Sequence, residues 1–430
     1  MGKVGLVLCG GVAKGAYEVG VLRALAERNV IPDVIVGISA GAINGAFAAR
    51  HISAGTFSGQ AIEAELARYW RRSVTAQHLY HGYDRLDGGE LERRNLRTLF
   101  KRIGVDPLSR RYVPRLGLDS LLAFEELIRG DFASLISHHF IRQLCEENLT
   151  YPGEVKREVK LSLVATDLMG CTRLSDEMEL TTHYARYEDF TFDRSLNREL
   201  WDRTVPRMVR MIEASSSFPF LFPPTPDEAT GGMLFDGGLW DNAPIGRAIR
   251  LDPEVDTVIV VSGCTTVERP ETEPDTLYSI LGRVFTMLSG RFVVQNYRKV
   301  MQQNRKLGHL ETLLKRGKDG RVLANRFNQT LALAAGYKSL EDLTSRRIVN
   351  LVPIFPKPSL PGDVFAGFFD AGLRDLYIRQ GHEDAVLALS RRPVTGIDAE
   401  VEASVAELEG AVLFSPPIDL DGSLADRTAS

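Results

Sequence analysis

Gly37-Ile38-Ser39-Ala40-Gly41 sets a serine between two glycines, after an apolar run and before a segment of small residues. That is the strand–turn–helix setting of a nucleophile elbow. The turn is too tight for flanking side chains, and the serine oxygen is offered at a helix N-terminus, whose dipole favours developing negative charge. A serine there also suits an ordinary helix N-cap, so the pentapeptide alone leaves both uses open. A second cluster, "LCGGVAKGAYEVGVL" (8–22), turns on glycines and presents unpaired backbone N–H groups. A dinucleotide loop would need glycine at Val12, and a phosphate loop would need Ser or Thr after Lys14 in place of Gly15. An oxyanion hole built from the amides of Gly10, Gly11 and Val12 needs only backbone nitrogens. A turn that merely tightens helix–sheet packing is the other reading. Lys14 is read first as structural, with a site cation as the alternative.

A serine nucleophile needs a base. The eight histidines (His51, His78, His81, His138, His139, His183, His309 and His382) include none in the Gly-rich strand-end loop that carries a triad histidine. Asp236, in "MLFDGGLWDNAP", closes an apolar strand before Gly237 and Gly238. This places a carboxylate at the strand's C-terminal edge, where open α/β sheets bind ligands. An Asx turn would use the same aspartate. Asp241 is a second carboxylate in that loop, without the strand-end position.

These groups need a frame to meet. "KVGLVLC" (3–9) and "IPDVIVG" (31–37) read as buried strands, each followed by a helical pattern, 14–29 and 39–51. Strand–helix alternation of this kind builds a parallel sheet covered by helices. Further strands are expected at 159–168, 231–238, 255–263 and 348–356. Residues 60–160 look mostly helical. They include a basic stretch, Arg93 to Arg115, broken only by Asp106, which reads as a solvated face or as a dock for anionic headgroups. From 275 onward the pattern is helical. In 277–300, Ile280, Leu281, Val284, Met287 and Leu288 are expected to pack on the sheet, with a membrane-facing helix as the alternative. Phe218, Phe220, Leu221 and Phe222 suit either an acyl channel or the core.

The 430 residues include 44% hydrophobic and 25% charged positions, an ordinary globular balance. A net charge of −4 gives no electrostatic ground for nucleic acid. Four dispersed cysteines (Cys9, Cys145, Cys171 and Cys264) suggest neither a zinc site nor a disulfide framework. No secretory signal and no run near the roughly 18 apolar residues of a membrane span is evident. The expectation is a cytoplasmic protein that touches membranes peripherally at most.

In order along the chain, "CGGVAKGAYEVGVL", "GISAGAING", "EASSSFPFLFPP" (213–224) and "DGGLWDNAP" resemble the patatin-like phospholipase family. Matches cover 4–47 and 213–262. "VPIFPKPSLPGDVF" and "GHEDA" near residue 381 fit more loosely, and 60–210 carries no clear motif. The resemblance implies a three-layer α/β/α fold with a mostly parallel central sheet. It implies a lipid acyl hydrolase of phospholipase A type, acting through a Ser39–Asp236 dyad and an acyl-enzyme, with no intervening histidine, metal or cofactor. Gly10, Gly11 and Val12 would form the oxyanion hole, supported by Lys14, Gly15, Gly37, Gly41, Gly237 and Gly238. The substrate would be a phospholipid or another lipid ester. Transacylation on the same dyad, or lipid or partner binding without turnover, are the alternatives. The family's loop usually has glycine where Val12 stands. A β-branched residue disfavours positive φ, so an ordinary backbone angle is expected there. The organisation expected is one catalytic domain over 1–395, with a motif-bearing core 1–265, a helical insertion at about 60–210 and a helical extension 275–395. An amphipathic helix and a disordered tail would occupy 396–430.

Overall fold

A computed structural model describes residues 2–72, 74, 138–174, 180–219, 221–227, 230–264, 277–316 and 347–390. The basic stretch 93–115, Phe220, the side chain of Leu281 and the segment 396–430 lie outside what is described.

A strand buried on both faces must be apolar throughout, and β1 (Lys3–Leu8) shows what this achieves. Leu6 and Leu8 enter the core on one face, Val7 and the following Cys9 the core on the other. β2 (Val34–Ile38) and β7 (Val255–Val261) flank β1 in parallel, so that Leu6 pairs with both Ile35 and Ile259. β3 (Val159–Leu174) extends the sheet beyond β2, and β8 (Asn350–Ile354) beyond β7, both parallel. Five parallel strands thus run in the order β8–β7–β1–β2–β3.

Helices cover both faces. The chain order is α1 (Ala16–Glu27), α2 (Ala40–Ala54), α3 (Gly59–Ile62), α4 (Arg68–Arg72), α5 (His139–Asn148), α6 (Arg198–Ser215), α7 (Ile245–Leu251), α8 (Leu277–Arg316), α9 (Ala366–Phe369) and α10 (Ala371–Leu389). α1 and α2 share a core with Leu6 and Leu8. α7 and α8 bring Ile245, Ala248, Val293, Tyr297 and Met301 to the core of Val7 and Cys9. The result is the three-layer α/β/α arrangement expected. None of the described helices is long and apolar enough to cross a membrane. Cys9, Cys145 and Cys264 are buried free thiols.

Three features differ from the sequence reading. β3, expected as a strand at 159–168, continues to Leu174 and pairs antiparallel with β4 (Leu180–Phe192), a strand that the sequence reading lacked. β6 (Met233–Asp236) is antiparallel to β3, not a further parallel strand, and the short β5 (Thr225–Pro226) pairs antiparallel with it. It still delivers Asp236 to the correct edge because β3 outruns β2. Ile38 pairs with Val164, and the next β3 position, Ala165, pairs with Asp236. β6 therefore abuts the end of β2 on the same side of β3. Third, Ile280, Val284, Met287 and Leu288 of α8 do not pack on the sheet. They are exposed, while Phe285 on the opposite side is buried against Phe218.

Candidate active site

β2 ends at Ile38 and α2 begins at Ala40, which leaves Ser39 alone to reverse the chain, at φ 53° and ψ −125°. Side-chain-bearing residues rarely adopt positive φ, and such a conformation persists only where the surroundings fix it. Here a run of serines fixes it. The Ser39 amide donates to Ser215 Oγ at 2.9 Å, and Ser216 Oγ donates to the Ser39 carbonyl at 3.2 Å. Ser215 Oγ in turn donates to the Val164 carbonyl at 2.5 Å. Ser39 occupies the N-cap position of α2, yet its side chain makes no capping bond. The hydroxyl is not spent on the helix. Gly37, Gly41 and Gly237 pack so closely that an added Cβ would strike backbone carbonyls within 2.5 Å.

Asp236 is fully buried at the end of β6. Its amide donates to the Ser217 carbonyl at 3.0 Å, and its carbonyl accepts Thr166 Oγ1 at 2.9 Å. Oδ1 accepts the Gly238 amide at 2.8 Å, so half of the carboxyl does form the Asx turn. Oδ2 is buried without a hydrogen-bond partner of ordinary geometry. Burial pushes the pKa of this carboxyl up to about 7, against the opposing pull of the Ser39 hydroxyl and the Gly238 amide. The hydroxyl thus stands close enough to favour the ionised form without closing a well-formed hydrogen bond. Loose geometry of this kind is usual before a substrate tightens a site.

The glycine loop meets the elbow at Gly10, where an added Cβ would lie 2.7 Å from Ser39 Cβ. The Gly10 amide is occupied: it donates to Asn242 Oδ1 at 2.8 Å, and Asn242 Nδ2 donates back to the Gly10 carbonyl at 3.2 Å. This removes Gly10 from the set of open donors. The Ala13 amide goes to the Val364 carbonyl and the Lys14 amide to the Gly11 carbonyl. No such acceptor takes the Gly11 or Val12 amide among the described residues. Val12 does not hold an ordinary backbone angle. Its φ is 52°, and the bonds on both sides of it fix the loop. Lys14 is buried, and its Nζ donates to the Leu360 backbone carbonyl at 3.0 Å. Gly15 lets the single 3-10 turn Val12–Gly15 approach α2, with an added Cβ falling 2.4 Å from Ala40 Cβ.

Ser39 and Val12 open onto an almost wholly apolar pocket lined by Ile43, Trp70, Phe218, Phe222 and Phe368, among others. Phe218 and Phe222 therefore do face a cavity, whereas Leu221 packs partly against the core. Among the described side chains no histidine bonds to Ser39 or Asp236. His51 pairs with Glu65, and His382 with Glu27. His138 bonds to Ser217 Oγ at 3.1 Å and stacks on Phe222, and burial pushes its pKa down to about 3, so it stays neutral. Sequence reasoning missed Ser215, Ser216 and Asn242 as structural partners of the site. The small-residue block and the "DNAP" tail were the signals that contained them.

These features define an α/β protein whose sheet edge is organised around one elbow serine, one buried carboxyl and one glycine loop. A model of patatin-like phospholipases matches residues 6–249, and the chain belongs to that family. Lysophospholipase nte1 of Aspergillus terreus (strain NIH 2624 / FGSC A1156) is 43% identical over 70 residues, which are 16% of this chain and 5% of that protein. The chain thus spans a small fraction of that curated relative. Among solved structures, VipD from Legionella pneumophila aligns with a TM-score of 0.33 at 14% identity, over 96% of this chain and 74% of that one. The type III effector ExoU aligns with a TM-score of 0.24 at 14% identity, over 96% and 61%.

Proposed function

We propose that the chain is a lipid acyl hydrolase of phospholipase A type that works through Ser39 and Asp236. The observation that carries this reading is the free oxygen of a buried carboxyl beside an elbow serine, at the head of an apolar pocket. Asp236, ionised near neutral pH, takes the proton of Ser39 as Oγ adds to the ester carbonyl carbon. The tetrahedral oxyanion rests on the Gly11 and Val12 amides, each worth about 3 kcal/mol if well aimed. Collapse expels the alcohol or lyso-lipid, which leaves with a proton from Asp236, and the acyl group stays on Ser39. Asp236 then draws a proton from water, which attacks the acyl-enzyme; collapse releases the fatty acid as Asp236 returns the proton to Ser39 Oγ. The pocket's apolar lining suits an acyl chain and offers little to a polar group. Peripheral contact with a lipid surface, through the exposed stripe of α8, completes the proposal.

Mass spectrometry of products from a mixed panel of phospholipids and neutral esters tests it. Free fatty acid and lyso-product are expected from the native chain and none from Ser39→Ala. Added lyso-lipid or glycerol that collects the acyl group would instead make the protein a transacylase. A fluorophosphonate probe should label Ser39 once. Ester turnover that survives Ser39→Ala would end this assignment, and absence of both turnover and labelling would favour a binding protein with the same fold.

A further inference from the structure

A second cleft opens on the other side of the sheet, between α7 and α8, enclosing about 1510 Å³ of empty space with its open mouth included. It shares no lining residue with the pocket at Ser39. Its walls carry four cationic side chains, Arg247, Arg250, Lys299 and Arg347, and among the described residues one carboxylate, Asp241. Their charges do not cancel. Arg247 is matched by Asp189 and lies over the Tyr187 ring, 4.8 Å from its centre. Arg347 donates to the carbonyls of Ile249, Asp252 and Val255, at 3.2, 3.0 and 2.8 Å, and so keeps its full charge. Arg250 and Lys299 are exposed and form no ion pair among the described residues. Both lie near enough to Asp241 to favour its ionised form, against the burial that raises its pKa. Oδ1 of Asp241 is held by Asn296 Nδ2 at 2.8 Å and by the Ala243 amide at 3.2 Å.

Among the described residues, three cations with no carboxylate of their own thus face one carboxylate, an excess of about two positive charges in a concave site. A guanidinium and an ammonium on facing helices suit phosphate oxygens, one by planar hydrogen bonding and the other as a point charge. We infer that the cleft between α7 and α8 binds a phosphate-bearing dianion between Arg250 and Lys299. The inference does not rest on the proposed reaction, since the site is separate from Ser39 and its occupancy is measured without turnover.

Calorimetric titration of the full chain with inorganic phosphate tests it, at ionic strength held constant with sodium chloride. Saturable one-site binding is expected, weakened roughly tenfold or more in Arg250→Gln/Lys299→Gln. Arg250→Lys, which keeps the charge but loses the planar fork, should bind more weakly than the native chain and more tightly than the double variant. Lys299→Gln alone, on the solvent side of a long helix, gives a partial loss and keeps the test decisive should the double variant misfold. A parallel titration with glycerol 3-phosphate separates the sources: tighter binding than phosphate assigns the cleft to an esterified headgroup, equal or weaker binding to free phosphate. No saturable binding of either anion, or native affinity in a folded double variant, overturns the inference.

Discussion

A carboxyl group sealed from water holds its proton to a higher pH than a free one. Burial pushes Asp236 up to about 7, from 3.8. Two consequences follow at this residue. If Asp236 must be ionised to act, kcat/KM on a soluble short-chain ester should fall about tenfold per pH unit below pH 7 and level off above it. A profile flat from pH 5 to 8 would remove Asp236 as the base. The second consequence concerns stability. Between pH 3.8 and 7 the folded state retains a proton that the unfolded chain has lost, so stability declines as pH rises through that window. The full penalty above it is about 4 kcal/mol at most. Asp236→Asn, which can still accept the Gly238 amide through Oδ1, escapes this penalty. It should abolish turnover yet be more stable than the native chain at pH 8 by at least about 1 kcal/mol in denaturant unfolding, with the difference vanishing toward pH 4. Equal stability at pH 8 would contradict the buried charge. Ser39 and Asp236 were legible in sequence because a glycine-flanked serine and a strand-end aspartate are local signals. Asn242 and Ser215 were not, because they meet Gly10 and Ser39 across 232 and 176 positions of chain. Val12 misled for a related reason. Positive φ is costly for a β-branched residue in isolation, but long-range bonds to Val364 and Asn242 hold its neighbours.

Elements place these residues, and the joints between elements are where the placement can be broken. α6 ends in the serines that clamp the elbow, so Ser215 is a positioning residue. Ser215→Ala would leave the Ser39 amide and the Val164 carbonyl without their partner, at about 1–3 kcal/mol. The expected result is a lower kcat with nearly unchanged KM, restored in part by Ser215→Thr. An unchanged kcat would mean that the elbow holds itself. A second joint is the crossing of α1 and α10. An added Cβ at Gly381 would fall 2.0 Å from the Tyr17 carbonyl, and one at Gly20 would fall 1.9 Å from the Ile378 carbonyl. Neither backbone can move without parting the helices. Gly381→Ala should therefore destabilise the chain by about 2 kcal/mol or more, seen as a lower thermal midpoint. Native stability would show that the crossing can relax. The parallel strands were legible because burial on both faces demands uninterrupted apolar runs. β4 was missed although "LTTHYARYEDFTF" is rich in β-branched and aromatic residues. Its polar residues alternate with them on the half-exposed side of an edge hairpin, a pattern easily overlooked beside helical neighbours.

At the scale of the whole molecule, charge is distributed in a way that the net value of −4 conceals. From Leu277 to Leu310, α8 carries Arg283, Arg291, Arg298, Lys299, Arg305 and Lys306 and no Asp or Glu. The rest of the chain is correspondingly acidic. An anionic lipid surface would thus attract this helix, which helps to orient the molecule on approach. The same helix exposes Ile280, Val284, Met287 and Leu288 at helical spacing, flanked by Arg283 and Arg291. On its inner side Phe285 stacks edge-on against Phe218 of the apolar pocket, and Phe369 of α9, one position beyond the pocket residue Phe368, is exposed as well. The apolar stripe therefore neighbours the proposed acyl site. Completing the burial of four half-exposed side chains would supply roughly 3–4 kcal/mol, and each nearby basic residue about 1 kcal/mol on an anionic leaflet. Co-sedimentation with vesicles containing phosphatidylserine should therefore exceed that with neutral vesicles and weaken as salt rises. Val284→Glu/Met287→Glu should cut it by about tenfold or more, while turnover of a soluble short-chain ester stays unchanged. Native partitioning in that variant would move the membrane-facing surface off α8, and equal loss of soluble-ester turnover would mean that the helix shapes the pocket and does not anchor the molecule.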